Sequence, residues 1–355
     1  KKLKIKWDLG ANSSYDTKAY KAQLVKRVES PAQVAIERGD LTTAFSNASQ
    51  KHSATYTGGH LSHSPMEPNA SVVYVEEDKC EVWAATQAPR AIQRVLGQYL
   101  KREPKDIIVH VTMAGGAFGR KFKCDYVHEA AVISQHIKAP VQLTWSREED
   151  MRTGYYHSIN AQHIEASMDD QGNVTGWLHR AAFPSIPTLF DPTVIRPPKG
   201  TLNPIANHLF GLKNIRVESG DAKAYTRIGW YRAVNAIFYG FSFSTFADEL
   251  AYKAGKDPLT FLNQLYDANN IEEQKEQVSR SKNALEVAAK KSGWYERDIL
   301  PKGQGIGLAV HYSFQSFVAM AVHVEVKGDD IKVLNVDCAI DCGQVLNLDG
   351  ATAQM

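Results

Sequence analysis

Gly115-Gly116-Ala117-Phe118-Gly119-Arg120 stands between a β-branched run over 107–112 and an alanine- and valine-rich helical stretch over 126–136. Glycines that follow a strand leave backbone amides uncovered, which is how turns come to grip ligands. The run departs from both common phosphate fingerprints. A G-x-G-x-x-G turn would need glycine at Ala117, and a P-loop would need Gly-Lys-Ser/Thr where Gly119-Arg120-Lys121-Phe122 stands, so neither NAD nor ATP is indicated. Taken alone, the six residues serve as a tight turn as readily as a ligand loop.

Outward from the turn, strand and helix patterns alternate. Residues 71–76 and 80–86 read as a hairpin around Glu77-Asp78-Lys79, and Pro89 opens a helix with Ile92, Val95, Leu96 and Tyr99 on one face. A strand is expected over 141–145, and a second hairpin joins 159–168 to 174–182 across Asp169-Asp170-Gln171-Gly172-Asn173. The proline-rich stretch 184–204 is expected to form neither helix nor central strand and reads as a long surface or active-site loop. A helix follows over 237–254, a second starts at Asp257-Pro258, a third covers 284–292, and long strands are expected over 305–312, 317–326 and 331–339. This mixture predicts an α+β (mixed α/β) fold of two subdomains with mixed sheets and flanking helices. The polar run 271–281 marks the expected boundary, giving 1–275 as a first subdomain and 276–355 as the beginning of a truncated second.

Composition narrows the partners. Lys plus Arg number 41 against 39 for Asp plus Glu, and a net charge of +2 supplies no field for nucleic acid or an anionic membrane. The apolar stretches 237–246 and 317–322 fall short of the roughly 20 residues of a membrane-spanning helix. Cys80, Cys124, Cys338 and Cys342 are too few for a disulfide framework, contain no Cys-x-x-Cys and read as reduced thiols. They also lack the clustering of an iron–sulfur ligand set, so electrons leaving this chain would need another subunit. Lys1-Lys2-Leu3-Lys4-Ile5-Lys6-Trp7-Asp8 alternates like a strand, and Ala351-Thr352-Ala353-Gln354-Met355 lies in a helix just begun; both ends read as cuts through a larger protein.

Seven ordered motifs resemble one family. They are His63-Ser64-Pro65-Met66-Glu67-Pro68, Trp83-Ala84-Ala85-Thr86-Gln87-Ala88-Pro89, the glycine turn, Trp145-Ser146-Arg147-Glu148-Glu149-Asp150, Tyr231-Arg232-Ala233-Val234, Asp248-Glu249-Leu250-Ala251 with Asp257-Pro258, and Ala339-Ile340-Asp341-Cys342-Gly343. Together they resemble the molybdopterin-binding large subunit of the xanthine oxidase-type molybdenum hydroxylases, above all the branch formed by the isoquinoline 1-oxidoreductase beta-subunits. The resemblance implies a molybdenum–molybdopterin cofactor in its cytosine dinucleotide form. It implies cofactor-binding roles for Gln87, for Gly115, Gly116, Ala117, Phe118, Gly119 and Arg120, for Arg232 and Ala233, and for Gln354. Ala117 replaces the usual third glycine, which is tolerable only at negative φ, and Lys121 replaces a second arginine, keeping charge but losing the planar fork. Glu67, held before Pro68, reads as an anchor for a neighbouring loop.

The implied reaction is oxidative hydroxylation of an N-heteroaromatic or aldehyde substrate with water as oxygen source, electrons passing to a 2Fe-2S small subunit. The family's glutamate base would lie beyond Met355, and its Met-Gly-Gln-Gly loop is not among these residues. No catalytic residue and no direct metal ligand is therefore expected here, and these residues alone are expected to be inactive. Some relatives in this branch are exported to the periplasm; a cytoplasmic location stays open. Two other readings compete: a non-catalytic paralogue or assembly module, suggested by Ala117 and Lys121, and a zinc hydrolase using His60, His63 and Glu67. The latter suffers from an H-x-x-H spacing in a non-helical segment, which does not bring two imidazoles to one face.

Overall fold

The computed structural model describes Lys4 and residues 6–355. Residues 1–3 and 5 of the alternating opening lie outside the described residues, and Lys4 with 6–8 carries no strand. In chain order the strands are β1 (Gln33–Arg38), β2 (Gln50–Gly58), β3 (Ala70–Val75), β4 (Cys80–Ala84), β5 (Ile107–Val111), β6 (Val141–Thr144), β7 (Asn160–Met168), β8 (Val174–Ala182), β9 (Ile215–Ser219), β10 (Gln304–Ser313), β11 (Ser316–Lys327) and β12 (Asp330–Asp341). The helices are α1 (Thr17–Val28), α2 (Leu41–Ser46), α3 (Pro89–Leu100), α4 (Asp125–Ile137), α5 (Arg147–Thr153), α6 (Lys199–Ala206), α7 (Ala236–Lys253), α8 (Pro258–Asp267), α9 (Lys275–Ser292) and α10 (Leu348–Thr352). The α+β expectation is met. Among the described residues no helix is long and apolar enough to cross a membrane.

Among the described residues the strands form three sheets, ordered β5-β4-β3-β6, β1-β9-β8-β7-β2 and β10-β11-β12. In the first, Val73, Val82, Ile92, Leu96, Tyr126 and Val127 pack sheet against α3 and α4. Its one parallel pair, β4 with β5, decides where the site sits. Parallel strands end at the same edge, so the chain leaving β4 at Gln87 and the chain leaving β5 at the glycine turn emerge side by side.

The larger core runs from the second sheet through α7, α8 and α9 into the third, with Trp177, Phe243, Phe246, Leu265, Leu285 and Phe317 among its buried residues. Each such side chain contributes about 1.5–3 kcal/mol by leaving water. α7 is apolar around most of its circumference because it is enclosed on several sides. Asp257 caps α8 by accepting the Thr260 amide at 2.8 Å, with Pro258 at the first helical position.

Two expectations are corrected. The stretch 184–204 contains a 3-10 turn at Ile186–Leu189, and α6 holds Pro204 inside it. An internal proline costs about 3 kcal/mol, but α6 buries Leu202 and Ile205 completely, and two such side chains recover about that amount. Likewise α9 starts at Lys275 and not near 284. Its polar residues form the solvent side of a helix whose inner face, Ser281, Ala284, Leu285, Ala288 and Ala289, is narrow and built mostly from small residues.

Candidate cofactor site

The glycine turn is held by fixed partners on two sides. Gly116 (φ +95°), Phe118 (φ +52°) and Gly119 (φ +98°) are left-handed, whereas Ala117 is not, so the family's missing glycine is replaced where a side chain fits. Glu67 braces the entry: its Oε2 accepts the Gly115 amide at 2.9 Å and its own amide donates to the Gly115 carbonyl at 3.0 Å. The same carboxylate pairs with the Lys121 ammonium, whose side chain is 1% exposed. Gln87 braces the exit, its Oε1 accepting the Gly119 amide at 3.0 Å while its backbone amide donates to the Lys121 carbonyl at 3.0 Å. That bond orients the carboxamide and leaves its NH2 end without a protein partner among the described residues.

The amides of Gly116, Ala117 and Phe118 donate to no protein acceptor among the described residues. Alternating backbone hand with successive free amides makes a concavity for anionic or acceptor atoms. Arg120 points the other way. It is 1% exposed, makes a bidentate pair with Asp125 at 2.8–2.9 Å and lies 3.9 Å from Asp150, fastening the turn to α4 and α5 from below. Burial raises the Asp150 carboxyl, with the Arg120 and Arg147 guanidinium groups acting against that rise.

Arg232 reaches the turn from the segment before α7. Its guanidinium lies 4.1 Å from the centre of the Phe118 ring and has no carboxylate within salt-bridge distance among the described residues. Backbone meets backbone here: a Cβ on Gly119 would stand 2.2 Å from the Trp230 carbonyl oxygen, so only glycine fits. Ala233 (φ +59°) and Val234 (φ +50°) are both left-handed, costly for alanine and more so for a β-branched residue. They line a cleft of about 450 Å³ together with His208, Tyr239, His311 and Phe314. No Asp, Glu, Lys or Arg lines it, and burial lowers His311 to about 4 and His208 well below its ordinary value, so both imidazoles are neutral.

A profile of the molybdopterin cofactor-binding domain matches residues 25–264, a stretch that contains Gln87, the whole glycine turn and Arg232. The chain belongs to the molybdopterin cofactor-binding domain family. It is 23% identical to a nicotinate dehydrogenase subunit of Pseudomonas putida, covering 94% of this chain and 29% of that protein. It is 25% identical to the isoquinoline 1-oxidoreductase beta subunit of Brevundimonas diminuta, covering 82% and 37%. Its fold matches quinoline 2-oxidoreductase from Pseudomonas putida 86 with a TM-score of 0.62 at 17% identity, over 83% of this chain and 39% of that one. The chain thus spans well under half the length of these relatives.

The donors gathered here fit a molybdopterin. Such a group presents phosphate and ring acceptors, and the site offers three backbone amides and the Gln87 NH2 unpartnered among the described residues together with the Arg232 guanidinium, while Glu67, the carboxylate that accepts the Gly115 amide, is already paired with Lys121. Gln354 stands apart, exposed after α10, its amide donating to the Ala351 carbonyl and its side chain making no hydrogen bond to the turn. Among the described residues no three His, Cys, Asp or Glu side chains gather as a metal site. His60 contacts the His157 carbonyl at 2.8 Å and His63 the Trp230 carbonyl at 2.6 Å. Reading by motif missed His157 and the pairing of Glu67 with Lys121; the acidic residue of Met66-Glu67-Pro68 and the lysine substitution were visible, but not that they meet.

Proposed function

We propose that this chain is the cofactor-binding portion of a molybdenum hydroxylase large subunit that oxidatively hydroxylates an N-heteroaromatic or aldehyde substrate and passes electrons to a 2Fe-2S partner subunit. The observation that carries this is the glycine turn: its free amides adjoin Gln87 and Arg232 in a chain of the molybdopterin-binding family. The cofactor, when bound, supplies the redox chemistry, with oxygen taken from water. The chain supplies binding and orientation. Gly116, Ala117 and Phe118 offer backbone amides; Gln87 donates a neutral hydrogen bond from an amide already fixed by Gly119; Arg232 offers charge-assisted donors over the Phe118 ring. Gly115 and Gly119 set the turn's shape, Arg120 holds it from beneath, and Ala233 shapes the adjoining segment.

With Arg232 engaged by the cofactor, the cleft lining itself offers no Asp, Glu, Lys or Arg among the described residues, which favours an uncharged substrate over one bearing a carboxylate. Isoquinoline- and aldehyde-type substrates suit this lining better than nicotinate. In this reading residues 1–275 are a first cofactor-binding subdomain and 276–355 open a second, the cofactor is the cytosine dinucleotide form, and Gln354 serves its dinucleotide tail. The departures Ala117 and Lys121 give no support to a non-catalytic paralogue, because the first sits at negative φ and the second is neutralised by Glu67.

The test is metal and nucleotide analysis of the full-length subunit isolated with its partner. Molybdenum stoichiometric with the subunit and cytidine monophosphate released on acid hydrolysis are expected. A preparation without molybdenum overturns the proposal, and a different nucleotide overturns the cytosine form alone.

A further inference from the structure

We propose that His63 and His157 are positioning residues that clip the two ends of the Trp230–Val234 turn and so hold Arg232 over the glycine turn. The strained pair Ala233 and Val234 needs such restraint, since left-handed non-glycine residues are unfavourable and persist only where the surroundings over-determine them. The clip is symmetrical. His63 Nε2 donates to the Trp230 carbonyl at 2.6 Å and His157 Nε2 donates to the Val234 carbonyl at 3.1 Å. Both partners are carbonyls, which fixes Nε2 as the protonated nitrogen of each ring.

Between the clips the Tyr231 ring is wedged, 4.9 Å from the His63 ring and 5.2 Å from the His157 ring, and the turn closes on itself through the Val234 amide donating to the Tyr231 carbonyl at 2.6 Å. His63 is 4% and His157 5% exposed, so neither bond competes with bulk water. The Trp230 carbonyl that His63 holds is also the atom against which Gly119 packs. His63 therefore fixes the joint between the two halves of the site, and His157 fixes the far end, leaving Arg232 as the only side chain of the segment that projects to solvent with its charge unpaired among the described residues.

That Arg232 then meets a cofactor rests on the function proposed above; the clip itself does not. Hydrogen exchange read by mass spectrometry on the full-length protein separates the two. In His63→Phe and His157→Phe, which keep ring packing on Tyr231 but remove the donor, exchange across 230–236 should rise at least tenfold while peptides from β7 and β8 stay protected. His63→Gln, which restores a donor, should recover much of that protection. Molybdenum content should fall in both Phe variants and return with His63→Gln. Unchanged exchange over 230–236 in both Phe variants overturns the clip. Equal loss of protection in the Phe and Gln variants, or loss spread evenly over the molecule, assigns the histidines to general packing and also overturns it. Increased exchange over 230–236 in a protein that never contains molybdenum upholds the clip and removes the cofactor reading.

Discussion

Lys121 is a buried ammonium with one carboxylate partner among the described residues, and that partner carries the turn. Removing Glu67's charge strands the cation: Glu67→Gln should destabilise the protein by about 2–3 kcal/mol, less than the about 3–5 kcal/mol of a fully buried pair because Glu67 is itself 37% exposed. Adding Lys121→Met to Glu67→Gln should recover most of the loss, because no unpaired charge then remains; denaturant titration of the four-member cycle checks it. Additive losses would show that the pair does not interact. At this scale the sequence was only partly informative. The acidic residue before Pro68 and the lysine after Arg120 could each be singled out, yet their contact spans 54 positions, and single-residue chemistry does not encode who faces whom. Arg120 shows the same limit: beside a glycine turn it resembles a ligand contact, and the carboxylates that draw it inward come from α4 and α5.

Among the elements, local signals were legible where chain chemistry alone decides. Pro89 and Asp257-Pro258 started helices, and Asp169–Asn173 closed a hairpin whose Asp169 accepts the Asn173 amide at 2.8 Å. They failed where tertiary burial overrides propensity, as in α6 around Pro204 and in the polar first half of α9. The glycine turn belongs between these cases. Gly119→Ala should be severely damaging, since it meets the Trp230 carbonyl at 2.2 Å and must hold φ +98°. Gly305→Ala, in β10 with open space around its Cβ position, should be neutral or stabilising by about 0.5–1 kcal/mol. Thermal melts of the two variants discriminate between them, and equal behaviour would mean that the close approach to Trp230 is not a constraint.

For the whole molecule, buried imidazoles set the acid limit. Burial lowers His179 to about 3, and His63 and His311 to about 4, from an ordinary value of 6.5. The unfolded chain binds these protons first, so their contribution to stability is complete above pH 6.5 and is lost as pH falls toward the folded values. Each histidine adds a slope of up to about 1.4 kcal/mol per pH unit. Asp150 and Asp248, raised by burial, oppose this, but His60, His157 and His208 shift with the majority. Denaturation midpoints measured between pH 7 and 5 should therefore fall steadily, before most carboxylates titrate; a flat profile would contradict the neutral buried histidines.

The glycine turn grows from the four-stranded sheet and its own compact core, whereas Arg232 precedes α7, which belongs to the larger core. A ligand gripped from both sides adds a further mechanical link between two separate hydrophobic cores. Loading the site should consequently change how the protein comes apart, drawing the unfolding of the two cores toward a single event, which calorimetry with and without the cofactor checks.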